Sequence, residues 1–166
     1  SVKKFIIAVY VDNKFGVLTR VTSMFTRRGF NIDALTVGKT ESDDFSRITI
    51  TMYGDDAAKE QMIKQLKKLV NVKMVKLLSK ESSVIRELML IKVKNDRKTK
   101  NDIMTAVSIF RSKIIDYSAN ALCIEVTGDT EKLDAFIEIM KPLGIIEMCR
   151  TGIVALERGE GSLLEQ

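Results

Sequence analysis

GDDAAKEQMIKQLKKLVNVKMVKLL, Gly54–Leu78, and GDTEKLDAFIEIMKPLGIIEMC, Gly128–Cys149, read as two copies of one unit. Laid over one another, Gly54-Asp55 meets Gly128-Asp129, and Met62 and Ile63 meet Phe136 and Ile137. Leu66 then meets Met140, Leu69 meets Leu143, and Val72 and Met74 meet Ile146 and Met148. Each copy has acidic residues at the positive end of a helix, an apolar stripe at helical spacing and a following strand. An internal repeat of this kind predicts two copies of one supersecondary unit.

Reading outward, the same grammar fills both halves. Phe5, Ile7, Val9 and Val11 alternate as a strand does, and Val17, Leu18, Val21, Met24 and Phe25 recur as a helix does. Gly29 ends that helix. Residues 32–37 form a second strand. Ile48, Ile50 and Met52 alternate with Arg47, Thr49 and Thr51 as a half-buried third strand. The helix of Met62, Ile63, Leu66, Leu69 and Val70 and a strand over 72–78 complete the order β-α-β-β-α-β. The second half repeats it: a strand over 88–93, a helix marked by Ile103, Ala106, Val107 and Phe110, strands over 114–117 and 122–126, a helix carrying Leu133, Phe136, Ile137 and Met140, and a strand over 145–156. The fold class is α+β, two ferredoxin-like domains whose antiparallel sheets carry both helices on one face. The domains are assigned to 1–78 and 84–159, with a polar linker at Ser79–Ser83 and a loose tail over 160–166. Strand one is apolar on both sides, since Ile6 and Ala8 interleave with Phe5, Ile7 and Val9. Its second face therefore needs a cover, from self-association or from the other domain.

Composition narrows the function. The 166 residues are 45% hydrophobic and 30% charged, the balance of a globular chain. The longest apolar run, Phe5–Val11, is strand-sized, so no membrane span is expected. The chain runs straight into that strand, so no signal peptide is expected either, and the expected location is cytoplasmic. Cys123 and Cys149, each in an apolar stretch, read as reduced core thiols. The chain has no histidine, which disfavours nucleophilic triads, most acid–base sites and zinc. Ferredoxin-like folds do host enzymes, but no coupled acid–base pair is in view. The net charge of +5 draws on Lys64, Lys67, Lys68, Lys73 and Lys76. These read as a solvated face, because a nucleic-acid surface needs stacking aromatics, and residues 47–52 of strand three contain none.

One segment carries chemistry: Asp12-Asn13-Lys14-Phe15-Gly16-Val17-Leu18, followed by Arg28-Gly29-Phe30-Asn31-Ile32. A loop here leaves a strand and enters a helix. The first helical turn has unpaired N–H groups and the positive dipole end, a ready carboxylate site. Gly16 permits close approach of a ligand, Asn13 offers donor and acceptor, and Val17 and Leu18 offer apolar lining. Asn31 is a second polar group at a strand end. On physical grounds alone the plainer reading competes: Gly16 and Gly29 as turn and cap residues, Asn13 as a local cap.

The segment also resembles a known family. Asn13 to Gly16 as N-x-x-G, TRVTSMFTRRGFNIDALTVG, the strand SRITI at 46–50, IFRSKIIDYS at 109–118 and GDTEKLDAFIEIMKPLGIIEMCRTGIVALERG at 128–159 together are similar to the small subunits of acetohydroxyacid synthase (acetolactate synthase). The N-terminal half resembles their ACT domain, and the likeness covers nearly the whole chain. It implies a regulatory subunit without catalysis of its own. Two ACT domains of a homodimer would pair side by side into one larger sheet and bind a branched-chain amino acid, usually valine, at their interface. Asn13, Gly16, Val17 and Leu18 would come from one chain, and Asn31 and Ile32 from the other. The catalytic large subunit would be the partner and would hold thiamine diphosphate, magnesium and FAD. This chain shows no motif for them, nor for a metal, nucleic acid or membrane. Lys14 and Phe15 are bulkier than the family's loop residues. The second domain has Asn95-Asp96-Arg97-Lys98 where N-x-x-G would stand, which assigns it to docking or activation. An ACT-type sensor serving another enzyme is the alternative.

Overall fold

The computed structural model describes residues 1–164. The described chain divides into two compact units, residues 1–84 together with residues 154–164, and residues 85–153.

The first unit contains β1 (Lys3–Asp12), α1 (Val17–Arg28), β2 (Asn31–Lys39), β3 (Phe45–Gly54), α2 (Asp56–Lys67) and β4 (Val72–Leu78). Its sheet runs β2-β3-β1-β4, with every pair antiparallel. Strand alternation turns Ile7, Val9 and Val11, with Ile48, Ile50 and Met52, to the helices, where they meet Val21, Met24, Phe25, Met62 and Leu66 in one core. Gly29 ends α1 at φ 66°, its N–H donating to the carbonyls of Phe25 and Thr26. The other face differs from the half-buried expectation. Thr49 and Thr51 are buried along with Ala8 and Tyr10.

The second unit contains most of β5 (Ser83–Lys94), α3 (Lys100–Ile109), β6 (Lys113–Tyr117), β7 (Ala121–Gly128), α4 (Thr130–Met140) and β8 (Ile145–Glu157) as far as Ile153. The sheet order β6-β7-β5-β8 repeats that of the first unit. Met89, Ile91, Val93, Ile103, Leu122, Ile124, Leu133, Phe136 and Met140 form its core, with Phe110 edge-on to Phe136 at 5.2 Å between ring centroids.

The repeat is visible atom by atom. Asp55 caps α2 by accepting from the Ala58 N–H at 2.8 Å, and Asp129 caps α4 by accepting from the Lys132 N–H at 2.9 Å. Met62 and Phe136 are both fully buried, as are Leu66 and Met140. The correspondence then slips by one residue. Asp12 N–H donates to Asn71 O, and the matching bond runs from Lys94 N–H to Gly144 O. Ile145 packs against the core as Val72 does, while Ile146 is exposed. A 3-10 turn over Lys141–Leu143, with Pro142 in it, causes the slip.

The C-terminal segment also differs from expectation. The sequence division kept residues up to 159 with the second half and left a loose tail. In the structure, residues 154–164 belong to the first unit. Ala155 is buried, and Leu163 is only 4% exposed. Arg47 Nη2 donates to Ala155 O at 2.8 Å, Arg158 N–H to Ser82 O at 2.8 Å, and Lys76 pairs with Glu157. The apolar second face of the sheet supplies the physical reason, because Leu163 lines one cavity with Tyr10 and Leu78. Residues 165 and 166 lie outside the described residues. The cysteines are free, but they are not core residues: Cys123 is half-buried and Cys149 exposed. Cys123 sits between Leu122 and Ile124, which take the helix-facing positions, and Cys149 lies on the edge strand β8. Lys64, Lys67, Lys68 and Lys73 are exposed, as a solvated face requires, but Lys76 is half-buried and paired with Glu157. Strand β3 is longer than 47–52 and has Phe45 and Tyr53 near its ends. Phe45 is stacked on Tyr10 at 4.8 Å.

Candidate functional site

The end of β1 is held by a polar network. Asp12 lies 3.6 Å from Lys73 Nζ. In the amide orientation that satisfies both neighbours, Asn71 donates to Asp12 Oδ2 at 3.1 Å and accepts from Arg20 Nη1 at 2.8 Å. From this anchor the chain enters the loop at Asn13. Its backbone N–H donates to Asp44 O at 2.8 Å, its Nδ2 donates to Asp43 O at 3.2 Å, and its Oδ1 accepts from Ser46 Oγ at 3.2 Å. Asn13 is therefore not a helix cap. It pins the β2–β3 turn against the start of α1.

Gly16 immediately precedes α1 at φ 85°, a left-handed conformation that a glycine takes without strain. A Cβ there would meet nothing within 4 Å, so the space above it is open. No side chain caps α1, and its first turn carries no acidic residue. The N-terminal donors of this helix thus face an open approach. Val17 is a core residue, and Leu18 points outward, 44% exposed. A cleft of about 200 Å3 beside Val17 is lined further by Arg20, Leu69 and Val72.

Asn31 and Ile32 lie elsewhere. They begin β2, opposite Tyr53 and Met52 of β3, whereas Asp12 at the other end of β1 lies opposite Phe45. Eight residues of β3 separate the two places, about 26 Å at strand rise. Asn31 is exposed, and Ile32 is half-buried against the core. Within one chain the structure brings Asn13, Gly16, Val17 and Leu18 together and leaves Asn31 and Ile32 at the opposite end of the sheet.

In the second unit, Asn95, which stands at the N-x-x-G position, makes the same bonds as Asn13. It donates its backbone N–H to Asn120 O at 3.1 Å and its Nδ2 to Ser118 O at 2.8 Å. Each asparagine is the first residue after the first strand of its half. The rest of the loop differs. Asp96 Oδ1 accepts from the Lys98 N–H at 3.0 Å, and Lys100 Nζ donates to the Tyr117 hydroxyl at 2.8 Å. That bond, and a second with Asn95, hold the Tyr117 phenol below the usual tyrosine range.

Comparison with known proteins decides the family. Residues 7–76 match the profile of the AHAS small subunit-like ACT domain, and residues 86–159 that of the small subunit of acetolactate synthase. A probable acetolactate synthase small subunit of Archaeoglobus fulgidus is 52% identical over 94% of this chain and 98% of its own length. The chain belongs to the acetolactate synthase small-subunit family. The acetolactate synthase small subunit of Mycolicibacterium smegmatis is 47% identical over 92% of this chain and 90% of its own. The crystal structure of the small subunit from Thermotoga maritima superposes with a TM-score of 0.89 at 42% identity, covering 96% of this chain and 99% of that one. As a small subunit of acetolactate synthase, this chain has the catalytic subunit as its partner. Among the described residues, no helix is long and apolar enough to cross a membrane.

Proposed function

We propose that this chain activates the catalytic subunit of acetolactate synthase and makes it subject to feedback inhibition by valine or a closely related branched-chain amino acid. The chain acts without catalysis of its own. Thiamine diphosphate, magnesium and FAD belong to the catalytic partner, and the complex works in the cytoplasm. The observation that carries this reading is the placement of the two half-sites at opposite ends of one sheet. A small amino acid cannot touch both in one chain. Strand β2 is an edge strand, and an edge can pair with a second copy. Antiparallel pairing of β2 with its copy about a two-fold axis brings the Asn31 end of one chain to the Asn13 end of the other. The ligand carboxylate then meets the N–H groups after Gly16, Asn13 and Asn31 hold the polar groups, and the aliphatic side chain lies near Leu18 and Ile32. Occupancy at such an interface favours one dimer geometry over another, the differential interaction that regulation requires. The second unit, with a lysine where the first has Gly16, docks to and activates the partner.

The test is acetolactate formation by the catalytic subunit with and without this chain, then with added valine. The expected result is a rise in rate that valine reverses, and that valine fails to reverse in Gly16→Asp. That substitution places a carboxylate where the ligand's own should sit. An unchanged rate in all conditions, with both proteins folded, would leave an ACT-type sensor for another enzyme.

A further inference from the structure

A second concavity lies on the opposite face of the first unit's sheet. A cavity of about 550 Å3 opens between Tyr10, Arg47 and Leu78 of the strands and Leu156, Gly161 and Leu163 of the C-terminal segment. Its volume falls within the range of small-molecule sites. Gly161 lets the segment pass close, since a Cβ there would collide with the Glu157 carboxylate. Unlike the half-sites at Asn13 and Asn31, this cavity is complete within one chain.

Its charge is out of balance. Arg47 lines the cavity half-buried, and among the described residues it donates to Ala155 O at 2.8 Å. Among the described residues no carboxylate comes within ion-pair distance of it. Glu157 also lines the cavity and is engaged by Lys76, while Lys39 and Glu41, one of each sign, are exposed at the rim. Burial pulls the guanidinium below its ordinary pKa, and the fields of Glu157 and Glu41 do not make up the difference. A guanidinium has five N–H donors in a fork that matches a carboxylate bidentately. Among the described residues one of these donors is used here, while buried Tyr10, Leu78 and Leu163 give apolar walls. A desolvated cation without a counter-charge is costly, and an anion in the cavity removes that cost.

We propose that this cavity is a second ligand site, for an organic monocarboxylate with an aliphatic body, bound through Arg47 with its chain against Leu78 and Leu163. The site is separate from the effector half-sites. Because residues 159–164 form its roof, a ligand there also holds the C-terminal segment to the sheet.

Octanoate and its uncharged analogue octanamide are the probes, titrated into the full chain by calorimetry and by NMR of the backbone amides. Octanoate is expected to bind saturably, roughly tenfold tighter than the amide, the order of one charge-assisted pair, and to shift the amides of residues 159–164. Arg47→Met should abolish the preference for the acid. Gly16→Asp should leave both affinities unchanged. Should Arg47→Met fold poorly, Leu163→Trp keeps the arginine and fills the cavity, and it should exclude both probes. Equal binding of acid and amide, no saturable binding of octanoate, or loss of octanoate in Gly16→Asp but not in Arg47→Met would each overturn the proposal.

Discussion

In the proposed site Asn13 would have two tasks that pull on the same side chain. It would meet the ligand, while its amide already joins Asp43 and Ser46 across the turn. Asn13→Ala should therefore weaken valine binding and lower the melting temperature together, whereas Gly16→Asp should affect binding far more than stability. A calorimetric melt beside a binding titration separates the two. In the second unit, Arg150 is held more tightly. Its Nε and Nη2 reach both oxygens of Glu87 at 2.9 and 2.8 Å, and its Nη1 reaches Asp134 at 2.6 Å. Glu87 is 6% exposed, and hydrogen bonding to it, ahead of burial, raises the guanidinium pKa further. Arg150→Met leaves a buried carboxylate without its partner and should cost about 3 kcal/mol in urea unfolding. Glu87→Gln added to it should recover part of that loss. Tyr117 offers a pH readout. Its phenol titrates low because Lys100 donates to it, so Lys100→Met should raise its midpoint in an ultraviolet titration. A depressed acid pKa favours the fold only above the unfolded value and ceases to as pH falls through the folded one. Ionisation of Tyr117 therefore contributes nothing to stability at neutral pH, where the substitution removes only the bond to the neutral phenol and the cation–π contact at 5.0 Å.

At the scale of elements, the helix starts differ. Helices α2 and α4 are capped by Asp55 and Asp129. Helix α1 begins at an uncapped glycine, and α3 also starts without a side-chain cap, at Thr99. Asp55→Ala and Asp129→Ala should each cost about 1 kcal/mol of stability and leave valine inhibition intact, and chemical denaturation with an inhibition curve checks both halves of that expectation. These caps were legible in the sequence, because Gly-Asp before an apolar helical stripe has few other meanings. So were the element order and the glycine ending α1. The slip of one residue before β8 was not legible. The apolar pairs Val72/Ile146 and Met74/Met148 align well as letters, and only the 3-10 turn at Pro142 shows that Ile145 takes the core position. Thr49 and Thr51 misled for a related reason. Period-two patterning reports which face is greasy, but a threonine face can also be buried, and no local pattern announces it. Arg47 likewise reads as the wet side of a half-buried strand until a segment more than 100 residues away, at Ala155, is seen to accept its hydrogen bond.

For the whole molecule, the return of the chain to its first unit matters most. Leu163 is buried there although the tail has no periodicity that foretold it. Leu163→Ala should cost about 2 kcal/mol, the low end for a buried leucine, and the same loss should follow from ending the chain at Ser162. Melting curves of both variants test whether the tail is part of the fold. A fragment ending near Lys80 lacks this segment altogether, so its failure to bind valine would not show that the second half contains the site. Subunit mixing tests the site without cutting the chain. Gly16→Asp and Asn31→Ala homodimers should each bind no valine, since each of the two sites at the interface has one bad half. In a mixed two-fold dimer, one site has both substitutions and the other has neither. Mixing, denaturing and refolding the two variants should therefore restore binding to about a quarter of the wild-type capacity if the chains pair at random. A site built within one chain gives no restoration at any ratio, because every chain then carries its own defect. Two positions 26 Å apart by strand count can complement each other only if the ligand joins one chain to its copy.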